Sequence, residues 1–278
     1  MLNNFICSLE NNILMITINR PEKLNVLTEN AINEFIAILN QADQDDEVKA
    51  IIVTGNGKGF CAGADLEGDD PFANQEIPID EFRDWGGRLT LRIYEMKKPM
   101  IAAINGPAVG VGITMTLPMD IRIASANAKM GFVFTRRGIV PEACSGWFLP
   151  RVVGISKAAE WTLTGRIFPA KEALDGGLIS QLVSPEELLP TAVSIASEIV
   201  KNTSSISVAL TRQLLWKMLG ANHPVESHQI ESKMIHWLGA QADAKEGVQS
   251  FIEKRDPNFT MKASTDMPAF YPWWKTIG

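Results

Sequence analysis

A chain of 278 residues with 46% apolar and 21% charged side chains can bury a full core, as one large domain or a main domain with an appendage. The net charge of −6 and pI of about 5.2 exclude general affinity for nucleic acid or an anionic membrane surface, and leave room only for a local basic pocket. Cys7, Cys61 and Cys144 have no metal-type pair spacing, the N-terminus carries no basic leader, and no apolar run reaches membrane length, so the expectation is a cytoplasmic protein with free thiols.

In chain order, Phe5 to Leu9 and Ile13 to Ile18 read as two strands joined by a turn at Glu10-Asn11-Asn12. Thr28 is placed to cap a helix through about Ala42, with Ile32, Phe35, Ile36 and Leu39 at helical spacing. Ala50 to Thr54 is a buried strand, and a glycine-rich loop, Gly55 to Leu66, follows directly behind it. The next stretch, acidic and interrupted by Pro71 and Pro78, reads as a solvated cover or a plain surface loop. A helix from about Phe82 to Met96 leads to the apolar strand Pro99 to Ile104.

Asn105-Gly106-Pro107 breaks that strand, and Ala108-Val109-Gly110-Val111-Gly112 opens into a short buried helix that stops at Pro118. Gly110 and Gly112 lack side chains, so the Val111 N–H between them can approach a ligand, and a helix start adds unpaired donors and a positive dipole end. The same residues suit a tight turn whose glycines serve packing alone. Strands at Asp120 to Ala124 and Met130 to Val133 come next, then a turn at Arg136-Arg137-Gly138 and a helix beginning at Pro141-Glu142. This alternation predicts a layered α/β core. Beyond Ser184 the pattern is helical over 185–201, 205–219 and 223–254, and the tail PAFYPWWKTIG is too apolar for a free end, so it packs on the body or on another subunit.

Several chemistries can be weighed on these residues. Gly110-Val111-Gly112 starts a dinucleotide fingerprint, but Met115 stands at its third glycine and no ribose-binding acid follows. Cys144 and Ser145 are possible nucleophiles, yet His223, His228 and His236 all fall in the helical tail, where a helix surface explains them better than a triad or a metal site. Two amide-presenting loops remain, at Gly63-Ala64 and Gly110-Val111. Their N–H groups can converge on one oxygen as an oxyanion hole, which needs an acid or base beside it. Glu142 is the candidate in this sequence; an acid complementing a first helical turn is the alternative reading of it.

With both loops set out, the chain resembles the crotonase family, the enoyl-CoA hydratase/isomerase superfamily. The matching residues are Arg20-Pro21 with Leu24-Asn25, Gly59 to Leu66, Lys98-Pro99 to Asp120, Gly138 to Pro141, Leu163-Thr164-Gly165 and Ala170 to Leu178. The resemblance implies an α/β fold: a spiral of repeated ββα units over 1–200, with a C-terminal helical region over 201–278 for oligomerisation and active-site cover. It further implies coenzyme A thioester substrates, no separate cofactor and no metal, and homotrimers or dimers of trimers. It puts the oxyanion-hole donors on Ala64 and Val111, with contacts to the acyl-CoA at Ala62, Gly63, Ala64, Asp65, Leu66, Glu67 and Gly110. Lys23 and a C-terminal lysine are candidates for the CoA phosphates, and Phe72, Trp85, Phe134 and Trp147 for the acyl pocket.

The chain departs from the hydratase pattern in its acids. The two glutamates that flank water in hydratases of the family fall here on Thr114 and Phe134, neither of which can serve as a base. Glu142 falls where the family's single-acid isomerases carry their catalytic residue. A double-bond shift, Δ3 to Δ2, through a dienolate with Glu142 as the one acid/base is therefore the expected activity. Hydration of a 2-enoyl-CoA by a rearranged site is the alternative, and acyl-CoA binding without turnover is a second. Some members of the family bind RNA through a lysine-rich helix, but the segment Thr28 to Ala42 has no Lys or Arg.

Overall fold

The computed structural model describes residues 4–66 and 77–274; Glu67 and Phe72 lie outside the described residues. Strands β1 (Phe5–Glu10) and β2 (Ile13–Ile18) form an antiparallel hairpin, closed by Asn11 and Asn12 at φ 50° and 62°, a left-handed geometry that asparagine tolerates. Thr28 caps α1 (Glu29–Gln44), its Oγ1 accepting the Ala31 N–H at 3.2 Å. Strand β3 (Ala50–Gly55) pairs parallel with β2. The chain continues through α2 (Trp85–Tyr94), β4 (Met100–Ile104), β5 (Ala108–Val109), α3 (Val111–Thr114), β6 (Ile121–Ser125) and β7 (Lys129–Gly131). Beyond these lie α4 (Ser145–Val153), α5 (Ile155–Thr164), β8 (Ile167–Pro169), α6 (Ala170–Asp175) and β9 (Gln181–Val183).

Successive turns leave one strand in a large sheet, ordered β1-β2-β3-β4-β6-β9, and one in a small sheet, ordered β5-β7-β8. Pairings in the large sheet are parallel from β2 onward, so its central strands are apolar on both faces. Ile51, Val53, Ala102 and Ile104 face the main core, where Phe35, Leu39 and Phe60 lie. Ile52, Ile101, Ala103 and Ile123 face the other way, against Leu188, Ala192 and Ala196 of α7 (Leu188–Asn202). This is the spiral of ββα turns that the resemblance implies.

The C-terminal part comprises α8 (Ser205–Met218), α9 (Pro224–Leu238) and α10 (Ala242–Glu253). Ile206, Ala209, Leu210 and Met234 form a separate small core that takes up Phe270, Tyr271 and Trp273, so the tail, as far as it is described, packs on the C-terminal helices. Buried Arg212 of α8 donates to the carbonyls of Ile93 and Met96, at the end of α2, and to Asp120 at 2.9 Å. That cluster ties the helical region to the underside of α2.

Two expected helices come out differently. The one expected at Pro141 starts at Ser145, because Ala143 and Cys144 adopt φ 58° and 54° and a right-handed helix cannot run through them. The one expected over 223–254 is two helices, α9 and α10. Asp243 explains the break: its carboxylate accepts from Ser204 Oγ at 2.7 Å and from the Thr260 N–H at 2.9 Å, a tertiary anchor that turns α10 away.

Candidate active site

The first amide-presenting loop is held from below by the segment 20–27. Asn25, fully buried, donates from Nδ2 to the carbonyls of Asn56 at 2.9 Å and Gly59 at 2.7 Å, while its Oδ1 accepts the Arg20 N–H. Leu27 donates its N–H to Gly63 O and accepts the Asp65 N–H, both at 2.9 Å. Along such a bridge successive amides point to opposite sides. The Ala64 N–H therefore points away from Leu27, and it has no acceptor among the described residues. Gly63 supports this turn at φ 120°.

The second loop lies flush against the first. Val109 donates to Cys61 O at 3.0 Å, Cys61 donates to Pro107 O at 3.0 Å, and a Cβ at Gly112 would overlap the Cys61 carbonyl. Gly110 turns the chain at φ 55°, and its carbonyl accepts the N–H groups of Ile113 and Thr114, closing α3. The Val111 N–H has no acceptor among the described residues. Because α3 is a single turn, the dipole expected at its start is small, and what remains is a fixed, unpaired donor. Backbone hydrogen bonds thus hold two free amides on adjoining loops.

Glu142 stands on the elbow before α4, not in a first helical turn, so complementing a helix dipole does not account for it. Thr114, one turn along from Val111, donates from Oγ1 to Glu142 Oε1 at 2.7 Å. The other oxygen, Oε2, occupies the space that a side chain at Gly86 would fill. Glu142 is half-buried, and burial pushes its carboxyl up to about 8; the Thr114 hydroxyl pulls the other way, and the Asp84 charge raises it further. Such a group is partly ionised near neutral pH, as a general base should be.

The elbow is clamped. Asp84 Oδ1 caps α2 by accepting the Gly87 N–H at 2.5 Å, and it also accepts the Ala143 N–H at 3.1 Å. Thr90, fully buried, donates to Ala143 O at 3.0 Å. Ser145 Oγ donates to Glu142 O at 2.6 Å. Asp84, Gly86, Thr90 and the hydrogen-bonding role of Thr114 were not legible in the sequence, since each acts across 28 residues or more. The only hint at Asp84 is its fitness as an N-cap.

The remaining candidates fall as follows. Ala62 donates its N–H to Leu24 O at 3.0 Å. Asp65 pairs with Arg20 at 2.9 Å and with Lys23 at 3.6 Å, so Lys23 lies beside the first loop with an acidic partner. Leu66 is exposed, and Glu67 is outside the described residues. Phe134 is buried in the main core, against which Trp85 and Trp147 are packed. His223 caps α9, with Nδ1 accepting the Val225 N–H at 3.2 Å. Among the described residues no cluster of His, Cys, Asp and Glu could hold a metal ion, and no helix is long and apolar enough to cross a membrane.

Known proteins resemble this chain along most of its length. A family model described as enoyl-CoA hydratase/isomerase matches residues 8–262. Enoyl-CoA hydratase ACTT3 of Alternaria alternata is 44% identical over 248 residues, 89% of this chain and 82% of that protein. The 1,2-epoxyphenylacetyl-CoA isomerase of Escherichia coli (strain K12) is 32% identical over 267 residues, 94% of this chain and 100% of that protein. The crystal structure of a probable enoyl-CoA hydratase/isomerase from Mycobacterium abscessus superposes with a TM-score of 0.87 at 30% identity, covering 93% of this chain and 99% of that one.

Proposed function

This chain belongs to the enoyl-CoA hydratase/isomerase family and is an acyl-CoA enzyme, and on that premise we propose that it shifts a double bond from Δ3 to Δ2 of an enoyl-CoA. Glu142 takes a proton from C2 of the substrate. The charge spreads to the thioester oxygen, which sits between the N–H groups of Ala64 and Val111. Glu142 then returns the proton at C4, so one proton moves and nothing is added or lost. The thioester needs no separate cofactor, and coenzyme A is part of the substrate. Contacts to it come from Ala62, Gly63, Asp65, Leu66, Glu67 and Gly110, with Lys23 toward the phosphates, in homotrimers or dimers of trimers.

The observation that carries this reading is Glu142 itself: a half-buried acid that accepts from Thr114, with Thr114 and Phe134 in place of the paired glutamates. A carboxylate in a dry setting gains by taking a proton, because the neutral acid is the better-tolerated form there. Proton pickup from carbon is thereby favoured. The names of relatives such as enoyl-CoA hydratase ACTT3 favour a second reading, addition of water to a 2-enoyl-CoA with Glu142 alone handling the water. Assays of 3-enoyl-CoA and crotonyl-CoA with product identification separate the two. Fast hydration without isomerisation would reverse their order.

Two pH effects follow from the site. With Glu142 acting as a base whose carboxyl is raised to about 8, kcat/KM should climb about tenfold per pH unit on the acid side and level off near that value. Thr114→Val removes the donor that favours the carboxylate, so the acid limb should move to higher pH in the same profile.

A further inference from the structure

We propose that Asp84 is the positioning residue of this site: one carboxylate oxygen caps α2 and holds the Glu142 elbow by the Ala143 amide, which sets a carboxylate beside the acid/base. The inference rests on Glu142 being the acid/base. It is the same for isomerisation and for hydration.

The geometry is specific. A single oxygen of Asp84 accepts the Gly87 N–H at 2.5 Å and the Ala143 N–H at 3.1 Å, so the residue that starts α2 also fixes the residue after Glu142. Ala143 is fully buried at φ 58°, a left-handed conformation that disfavours an alanine and persists only if its surroundings enforce it. Thr90 of α2 holds the other end of that residue by its carbonyl, at 3.0 Å. Between Asp84 and Thr90, Gly86 leaves the space into which Glu142 Oε2 fits. The first turn of α2 is therefore a cradle for the elbow, and Asp84 is the charged part of it.

The charge opposes ionisation of Glu142, and the hydrogen bond that a protonated Glu142 can donate to Asp84 acts in the same direction. Thr114 on α3 acts against it. Among the described residues, the other titratable groups that feel the Glu142 charge are Cys61 on the first loop and Cys144 on the elbow. Burial pushes Cys61 up to about 12 and raises Cys144 as well, so neither thiol adds a negative charge beside Glu142 near neutral pH.

Asp84→Asn tests the proposal, because the amide oxygen can still accept both N–H groups while the charge is gone. The acid limb of kcat/KM should move down by about one pH unit, raising the ratio of kcat/KM at pH 6 to that at pH 9 by about tenfold. Asp84→Ala removes the clamp too, and kcat on the plateau should fall about 10- to 100-fold with little change in KM. If the Asn variant does not fold, Asp84→Ser, also a good N-cap, removes the charge while keeping the helix cap, and the position of its acid limb rather than its kcat is then the test. Titration of the Glu142 side-chain carbon by ¹³C NMR in the unliganded protein, assigned by its loss in Glu142→Gln, should show the same downward move. If Glu142→Gln is inactive while Asp84→Asn leaves limb and signal in place, the inference about Asp84 is overturned and the proposed function stands. If Glu142→Gln is fully active, the proposed function fails, and the NMR titration still decides whether Asp84 governs Glu142.

Discussion

Glu142→Gln is expected to lower turnover of a 3-enoyl-CoA by about 10²–10⁴, the usual contribution of a general base. The amide is close in size to the carboxyl, and its oxygen can still accept from Thr114 Oγ1, so the loss is one of proton transfer rather than of shape. The same variant should gain stability at alkaline pH. Burial holds the folded-state carboxyl at about 8, above its unfolded value, so the folded protein binds more protons between roughly pH 4.5 and 8 and its stability falls as pH rises through that window. Gln carries no such penalty. Thermal unfolding should therefore show a Tm advantage for the variant that is larger at pH 9 than at pH 5. Full activity with an intact fold would sink the assignment, and an equal Tm difference at both pH values would contradict the burial of the acid.

Gly86→Ala should separate activity from stability in the other direction. The added methyl would overlap Glu142 Oε2 and come within 3.2 Å of the Ala143 Cβ. The obstructed atom is the end of a flexible side chain, so the carboxylate swings aside at small cost, and alanine is favoured over glycine in a helix by about 1 kcal/mol. Stability should then stay within about 1 kcal/mol of the parent. Turnover should drop about 100-fold, since displacing a catalytic group by about 1 Å costs that much. Paired measurements of kcat and Tm check this; a kcat within about threefold of the parent would show that the carboxylate does not work from its observed place.

Local chemistry made much of the scaffold legible. The hairpin at Asn11-Asn12, the Thr28 cap and the buried strands Ala50–Gly55 and Met100–Ile104 depend on turn residues, caps and apolar runs that a short window contains. The glycines at 63, 110 and 112 marked where backbone amides could be presented. Glu142 is visible as a residue, but its setting is not: Pro and Glu favour a first helical turn at Pro141, whereas the elbow at Ala143-Cys144 is imposed by Asp84, which caps α2, and by Thr90 within it, more than 50 residues earlier. The break between α9 and α10 has the same kind of cause, since the partners of Asp243 are distant residues.

The resemblance set the hydratase acids against Thr114 and Phe134, while the sequence by itself determined most of the strands and helices, which residues are apolar enough to be buried, and that two glycine-bearing loops follow buried strands. These are properties of residue type and short spacing, and they survive without any knowledge of packing. Only the tertiary structure decided that the loops adjoin through the Cys61–Val109 hydrogen bond, that Thr114 donates to Glu142, and that Asp84, Gly86 and Thr90 hold the elbow. The reason is physical. The proton affinity of Glu142 depends on how much water it has lost and on which charges and donors face it, and distant segments set both when they pack.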